Sequence, residues 1–143
     1  MPSSLAWLPW ALLAAVFAAL TGLLAKLGVA EVPSNLATLI RTVVVVILAA
    51  AIVAVGGEWR ALSTITPRAW TLLALSGLAT GASWLAWFRA VSLGDVARVA
   101  PIDKLSVVLL AVLAATLLGE RLSPLAWTGV ALIALGSLLV ARG

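Results

Sequence analysis

Apolar residues fill most of the chain in long runs, and short polar segments separate these runs. Five runs are long enough to cross the hydrocarbon core of a bilayer, which takes about 20 residues in an α-helix. They cover residues 7–27, 36–55, 69–91, 96–118 and 125–140. The pattern predicts an all-α membrane protein with five transmembrane helices.

The separating segments carry residues that stop and start helices. Gly56-Gly57 ends the second run, and Asp95 is placed to cap the fourth. Thr66-Pro67 and Ser123-Pro124 each combine an N-cap hydroxyl with a proline at the first helical position. Because every connection is short, we expect residues 1–143 to form a single five-helix transmembrane domain.

The composition indicates that lipid is the main solvent of this chain. Hydrophobic residues make up 64% and charged residues 10% of it, whereas about 25% of a soluble domain is charged. Cysteine and histidine are absent, which excludes disulfides and thiolate or imidazole metal ligands. The sequence also has no phosphate-binding glycine loop and no nucleophile–base pair. We therefore expect no enzyme activity, no cofactor and no metal.

Basic residues stand singly near the ends of the apolar runs and give a net charge of +4. Residues in such places anchor membrane helices, so we predict no nucleic-acid partner. Of the nine basic residues, six fall on the C-terminal side of the membrane and three on the N-terminal side. This bias predicts a cytoplasmic C-terminus and a multi-pass protein of the inner cell membrane. If only the basic residues at the helix boundaries are counted, four lie on the C-terminal side and three on the N-terminal side, which leaves the orientation open.

Three charged residues lie inside apolar runs, where a charge costs at least about 3 kcal/mol unless it finds a partner or water. Arg41 and Lys104 have long side chains that can snorkel to the interface. Asp103 is too short to do so, and Arg41, Arg89, Arg98 or a neighbouring lysine is a candidate partner. Adjacent helical positions diverge by about 100°, so we expect Asp103 and Lys104 to face different surroundings.

Other features favour a site near these charges. Pro101 removes one backbone hydrogen bond and is expected to kink the fourth helix, a frequent feature of transporter sites. Trp84 and Trp87 lie three residues apart on one side of the third helix. They either fill space against neighbouring helices or form an aromatic wall for a cationic or amphipathic ligand. Gly77 and Gly81 indicate close helix packing, within one bundle or between two copies.

The segment "LLGERLSPLAWTGVALIALGSLLVA" resembles the closing hairpin of EamA-type proteins in the drug/metabolite transporter superfamily, with a Gly-Glu-Arg turn at residues 119–121. "FRAVSLGDVARVAPIDKLSVVLLAVLA" is similar to the preceding helix pair of that family, in which a proline stands early in the penultimate helix. The resemblance covers essentially the whole chain as one five-helix repeat, whereas many family members carry two repeats. Small multidrug resistance proteins are also similar, but their glutamate in the first helix is absent here, and Asp103 is the nearest substitute.

The resemblance implies a small-molecule transporter, an exporter of a metabolite or drug-like compound, that works by alternating access. Because an odd number of spans inverts each successive repeat, we expect a single repeat to act as a homodimer, with an antiparallel arrangement as one form. A parallel dimer and a monomer stay open as alternatives. The site residues would be Trp84, Trp87, Arg41, Asp103 and Lys104, with membrane lipid as the surrounding partner. Two other functions stay open: flipping of a lipid carrier, and a structural or accessory membrane subunit that does not transport.

Overall fold

The structure is a computed structural model that describes residues 5–143. Five of its helices are long and apolar enough to cross a membrane: Leu8–Val29, Ser34–Gly56, Pro67–Leu93, Val96–Leu118 and Pro124–Arg142. No end of these helices differs from the corresponding predicted run by more than two residues. The prediction of an all-α membrane protein is confirmed.

The helices are labelled in chain order. They are α1 (Leu8–Val29), α2 (Ser34–Gly56), α3 (Pro67–Leu93), α4 (Val96–Asp103), α5 (Leu105–Leu113) and α6 (Pro124–Arg142). The fourth span consists of α4, α5 and a π-helical turn at Ala114–Leu118. A 3₁₀ helix at Glu58–Thr64, which the sequence pattern does not predict, lies in the connection between α2 and α3.

Hydroxyl groups cap two of the helices at their N-termini. The Ser123 Oγ atom accepts a hydrogen bond from the Ala126 backbone N–H at 3.2 Å, ahead of a proline at the first position of α6. The Thr66 Oγ1 atom accepts one from the Ala69 N–H at 3.3 Å in the same way at α3. Asp95 precedes α4, but its side chain makes no capping hydrogen bond. Both cap-and-proline pairs therefore start helices, and Asp95 precedes α4 with only its backbone carbonyl accepting hydrogen bonds from the first turn.

Two helical segments end at glycines whose backbone is left-handed. Gly57 has φ 67° after α2, and Gly119 has φ 69° after the π-helical turn. The Gly57 N–H donates to the Ala54 carbonyl at 3.2 Å, which satisfies one of the last carbonyls of α2. Glycine fits both places because its lack of a Cβ removes the clash that other residues meet at positive φ.

The chain divides into two compact units, which are described separately. One unit contains residues 5–24 and Leu93–Gly143, and in it α4 and α5 pack along α6. The other unit is Ala25–Ser92, which holds the last turn of α1, all of α2 and α3 up to Ser92. The single domain over residues 1–143 stays a prediction, and residues 1–4 of it lie outside the described residues.

Few side chains are buried by the protein itself. In the second unit the buried residues are Val29, Thr38, Phe88 and Val91, which come from the end of α1, the start of α2 and the end of α3. Most leucine, isoleucine and valine side chains are exposed on the surface of the chain. Lipid solvates such side chains about as well as protein does, so apolar burial alone does not hold the helices together. Polar and aromatic contacts near these buried residues help to hold the helices of this unit together.

Replacing Gly57 by alanine should lower the free energy of unfolding by about 1 kcal/mol, because a Cβ at positive φ approaches the following carbonyl too closely. Asparagine tolerates this backbone better, so Gly57→Asn should keep most of the stability. The measurement is the midpoint of thermal unfolding in detergent, followed by tryptophan fluorescence. Equal midpoints for the alanine variant and the unchanged protein would contradict a left-handed end to α2.

Candidate functional site

A cation and two aromatic rings meet between α2 and α3. The guanidinium carbon of Arg41 lies 4.3 Å from the centroid of the Trp84 ring. The same atom lies 5.6 Å from the centroid of the Phe88 ring. At these distances the electron-rich ring faces attract the guanidinium, and the attraction is strongest where water is excluded.

Helical spacing explains why these residues share a face. Trp84 and Phe88 are four residues apart on α3, and Val91 follows three residues later. Such intervals place side chains on one side of a helix. Phe88 and Val91 are buried, and Trp84 is partly covered. This stripe of α3 is therefore the face that α2 covers through Arg41.

Arg41 belongs to a polar stripe on the first two turns of α2. Thr38 is buried, and Arg41 and Thr42 are partly covered. The Thr38 hydroxyl donates to the Ser34 carbonyl at 2.9 Å, and the Thr42 hydroxyl donates to the Thr38 carbonyl at 2.8 Å. Both hydroxyl protons are thus used inside the helix, which lets threonine occupy a membrane helix at low cost.

Lys26 joins the end of α1 to the same stripe of α3. Its Nζ atom donates a hydrogen bond to the backbone carbonyl of Val91 at 2.7 Å. Val91 lies in the last turn of α3, where carbonyls have no partner within the helix and where the helix dipole favours a positive charge. The lysine therefore stabilises the C-terminal end of α3 from a neighbouring helix.

Trp87 has a different neighbour from Trp84. Its ring meets the Phe88 ring edge to face, with centroids 5.5 Å apart and planes at 80°. The aromatic surface under Arg41 consists of Trp84 and Phe88. The cation on the Trp84 ring is thus a residue of the protein, whereas the sequence pattern left open either packing against neighbouring helices or contact with a ligand.

In the other unit, Asp103 and Lys104 form an ion pair with each other. The Lys104 Nζ atom lies 3.4 Å from the Asp103 Oδ2 atom, and the two side chains are 56% and 37% exposed, respectively. Adjacent helical side chains were expected to diverge, but the helix is interrupted at this place. Lys104 separates α4 from α5, and its backbone ψ of −9° departs from helical geometry. A neighbouring lysine was one of the candidate partners of Asp103.

The interruption follows Pro101 by three residues. The Lys104 N–H is shared between the Ala100 carbonyl at 3.3 Å and the Pro101 carbonyl at 3.1 Å, which tightens the turn. Proline lacks the N–H that would bond to the residue four positions earlier. The lost bond and the tightened turn together separate α4 from α5 beside the ion pair.

The predicted site residues thus fall into two groups. Arg41 and Trp84 contact each other, Trp87 is linked to them through Phe88, and Asp103 contacts Lys104. Sequence reasoning missed Phe88, although its position four residues after Trp84 was a usable signal. Lys26 stands near the end of the first apolar run, and no sequence pattern shows which carbonyl its long side chain reaches.

The model of the EamA-like transporter family matches residues 5–142, which is nearly the whole chain. The chain belongs to the EamA-like transporter family. An "uncharacterized transporter in cobO 3'region" from Sinorhizobium sp. is 59% identical to it over 138 residues, which is 96% of this chain and 98% of that protein. No solved structure matches this EamA-family chain. The protein is therefore a multi-pass membrane transporter by family.

A double-mutant cycle tests the contact between the guanidinium and the indole. Arg41→Met and Trp84→Leu, made singly and together, should show a coupling of about 0.5–2 kcal/mol in the free energy of unfolding. Unfolding in mixed detergent micelles supplies the measurement. Arg89→Met is the matched control, because Arg89 is exposed on α3 and should show no coupling to Trp84. A coupling for Arg41 no larger than that for Arg89 would contradict the contact.

Proposed function

We propose that this protein exports a small organic molecule across the inner cell membrane by alternating access. The observation that carries the proposal is a cation held on aromatic rings between two membrane spans of an EamA-family chain. Charged residues inside membrane spans generally mark substrate or ion pathways, because they are costly to keep there. The relative whose name contains "transporter" has nearly the same length, which supports transport by a polypeptide of this size.

The ion pair at the break in the fourth span is the proposed gating or coupling element. Broken helices whose free backbone groups and charges lie near each other are a recurring part of transporter sites. The Asp103 carboxylate and the Lys104 ammonium neutralise each other in the state described here. Separation of the pair would leave two unpaired charges at the break and would favour a different arrangement of α4 and α5.

We place two copies in the working unit, with an antiparallel arrangement as the leading form. The five spans of one copy support this, since opposite insertion of two copies gives the inverted repeats common in transporters. The glycines of α3 are also consistent with it. A Cβ on Gly77 or Gly81 would meet no side chain and no other helix of its own unit within 4 Å. Contacts within that unit therefore do not account for these glycines.

Neutralising Asp103 should abolish transport without preventing membrane insertion, because Lys104 would keep its charge without its partner. Proteoliposomes that contain the pure protein and a panel of organic acids, amines and sugars give the measurement. Asp95→Asn is the control, since the Asp95 side chain makes no capping bond and the variant should transport normally. Unchanged transport by Asp103→Asn would contradict the coupling role. If the unchanged protein transports none of these solutes and co-purifies with a partner protein, an accessory subunit would be favoured instead.

Cysteine labelling tests the orientation of the two copies. The chain has no cysteine, so every introduced thiol is unique. Ser63 and Glu31 lie in connections on opposite sides of the predicted membrane, and both are exposed. An antiparallel pair predicts that a membrane-impermeant maleimide labels both Ser63→Cys and Glu31→Cys on intact cells. Labelling of one variant alone would contradict the antiparallel form.

A further inference from the structure

The guanidinium of Arg41 lies between α2 and α3, away from the ends of both helices. Arg41 is seven residues after Ser34, the first residue of α2, or about 10 Å along the helix. Trp84, on which the guanidinium lies, is nine residues before Leu93, the last residue of α3, or about 13 Å from that end. A snorkelling side chain would extend toward the nearer end. Arg41 instead turns across to α3.

Within the unit Ala25–Ser92, no carboxylate forms an ion pair with this cation. The unit Ala25–Ser92, all of which the structure describes, contains two acidic residues, Glu31 and Glu58. Neither forms an ion pair with Arg41, and the Arg41 side chain donates no hydrogen bond to a described residue. Its contacts are the two aromatic rings. The situation contrasts with that of Lys104, which has Asp103 beside it.

The aromatic rings contact the guanidinium without accepting hydrogen bonds in the plane of its N–H donors. The guanidinium carbon lies 4.3 Å from the Trp84 centroid, and the five N–H donors that a guanidinium carries make no hydrogen bond to a described residue. A cation held in this way loses little further freedom when it binds a ligand. Its donor edge matches the two oxygens of a carboxylate, or those of a phosphate, in a bidentate manner.

A second positive charge stands on the same stripe of α3. Lys26 donates to the carbonyl of Val91, seven residues or about 10 Å along α3 from Trp84. The cluster formed by Lys26, Arg41, Trp84 and Phe88 is therefore positively charged. A cationic ligand at the aromatic rings would meet the repulsion of Arg41 at close range, where the dielectric constant is low. An anionic ligand would be attracted there.

From this geometry we infer that the cluster is an oxyanion-binding site in which Arg41, oriented by Trp84 and Phe88, holds a carboxylate or phosphate group. The inference rests on the proposed function only in assigning that group to the transported solute. The substrate class is then an organic anion, in place of the cationic ligand that the aromatic residues alone suggest. The same oxyanion chemistry is offered by a phospholipid headgroup, and the experiment below separates the two sources.

Three probes with the same ring and different charges test whether the site binds anions or cations. Purified protein in maltoside micelles is titrated with cyclohexanecarboxylate, cyclohexanecarboxamide and cyclohexylamine, and the midpoint of thermal unfolding is recorded. The carboxylate should raise the midpoint, and the amide and the amine should not. Equal stabilisation by the amine or the amide would overturn the inference.

Variants connect the effect to Arg41. A charge-assisted bond to the guanidinium predicts that Arg41→Met weakens carboxylate binding by at least about tenfold. Arg41→Lys keeps the charge but loses the fork, so it should bind with intermediate affinity. The exposed residue Arg89 serves as control, and Arg89→Met should bind like the unchanged protein. Carboxylate binding that is the same in Arg41→Met and Arg89→Met would overturn the assignment.

Two further measurements, one of lipid binding and one of transport, separate a lipid site from a substrate site and the site from the proposed function. Inorganic phosphate should compete with cyclohexanecarboxylate, whereas stabilisation by a short-chain phosphatidylglycerol alone would assign the site to lipid and overturn the substrate class. Binding is read without transport, so Arg41-dependent binding without flux would refute the proposed function and keep the site. Flux of neutral or cationic solutes that does not depend on Arg41 would keep the function and refute the site.

Discussion

The charge on Arg41 has to be accommodated within a helix in which residues 43–55 are all valine, isoleucine, leucine or alanine. Lipid does not solvate a guanidinium, and within its unit no carboxylate pairs with it. The Trp84 and Phe88 rings supply the attraction that is available, and they fix the first turns of α2 against the last turns of α3. Lys26 acts similarly between α1 and α3 through the Val91 carbonyl. Contacts of cations with rings and a carbonyl thus connect three helices that bury few apolar side chains against protein.

The charged residues within the membrane spans have different partners in the two units. In the unit Ala25–Ser92, Lys26 and Arg41 contact one stripe of α3, and Arg41 has no carboxylate partner within the unit. In the other unit, Asp103 and Lys104 neutralise each other at the point where Pro101 weakens the helix. A positively charged cluster is suited to binding an anion, and a neutral pair at a helix break is suited to switching. An EamA-family transporter that works by alternating access requires both properties, which is why we assign binding to the first and gating to the second.

Sequence patterns predicted the helices well because a membrane imposes a length of apolar residues that is readable residue by residue. The Ser123 cap and the Gly57 stop were also predictable, since each depends on neighbours a few positions away. The site was predictable only as a set of residue types. The place of Arg41 on Trp84 depends on how two helices pack and on the rotamer of a long side chain, which spacing does not determine. The Asp103–Lys104 pair was one of several candidate pairings, and residue spacing does not reveal the break in helical geometry at Lys104 that brings the two side chains together.

The contact of the Arg41 guanidinium with the Trp84 ring, within the membrane, is open to direct measurement. Magic-angle-spinning NMR of the protein in lipid bilayers, with labelled arginine and tryptophan, measures this directly. We predict a contact of about 4–5 Å between the Arg41 Cζ atom and the Trp84 indole, together with ring-current shifts of the guanidinium protons. A guanidinium with unshifted resonances, in contact with lipid headgroups and water and without any contact to the indole, would contradict it.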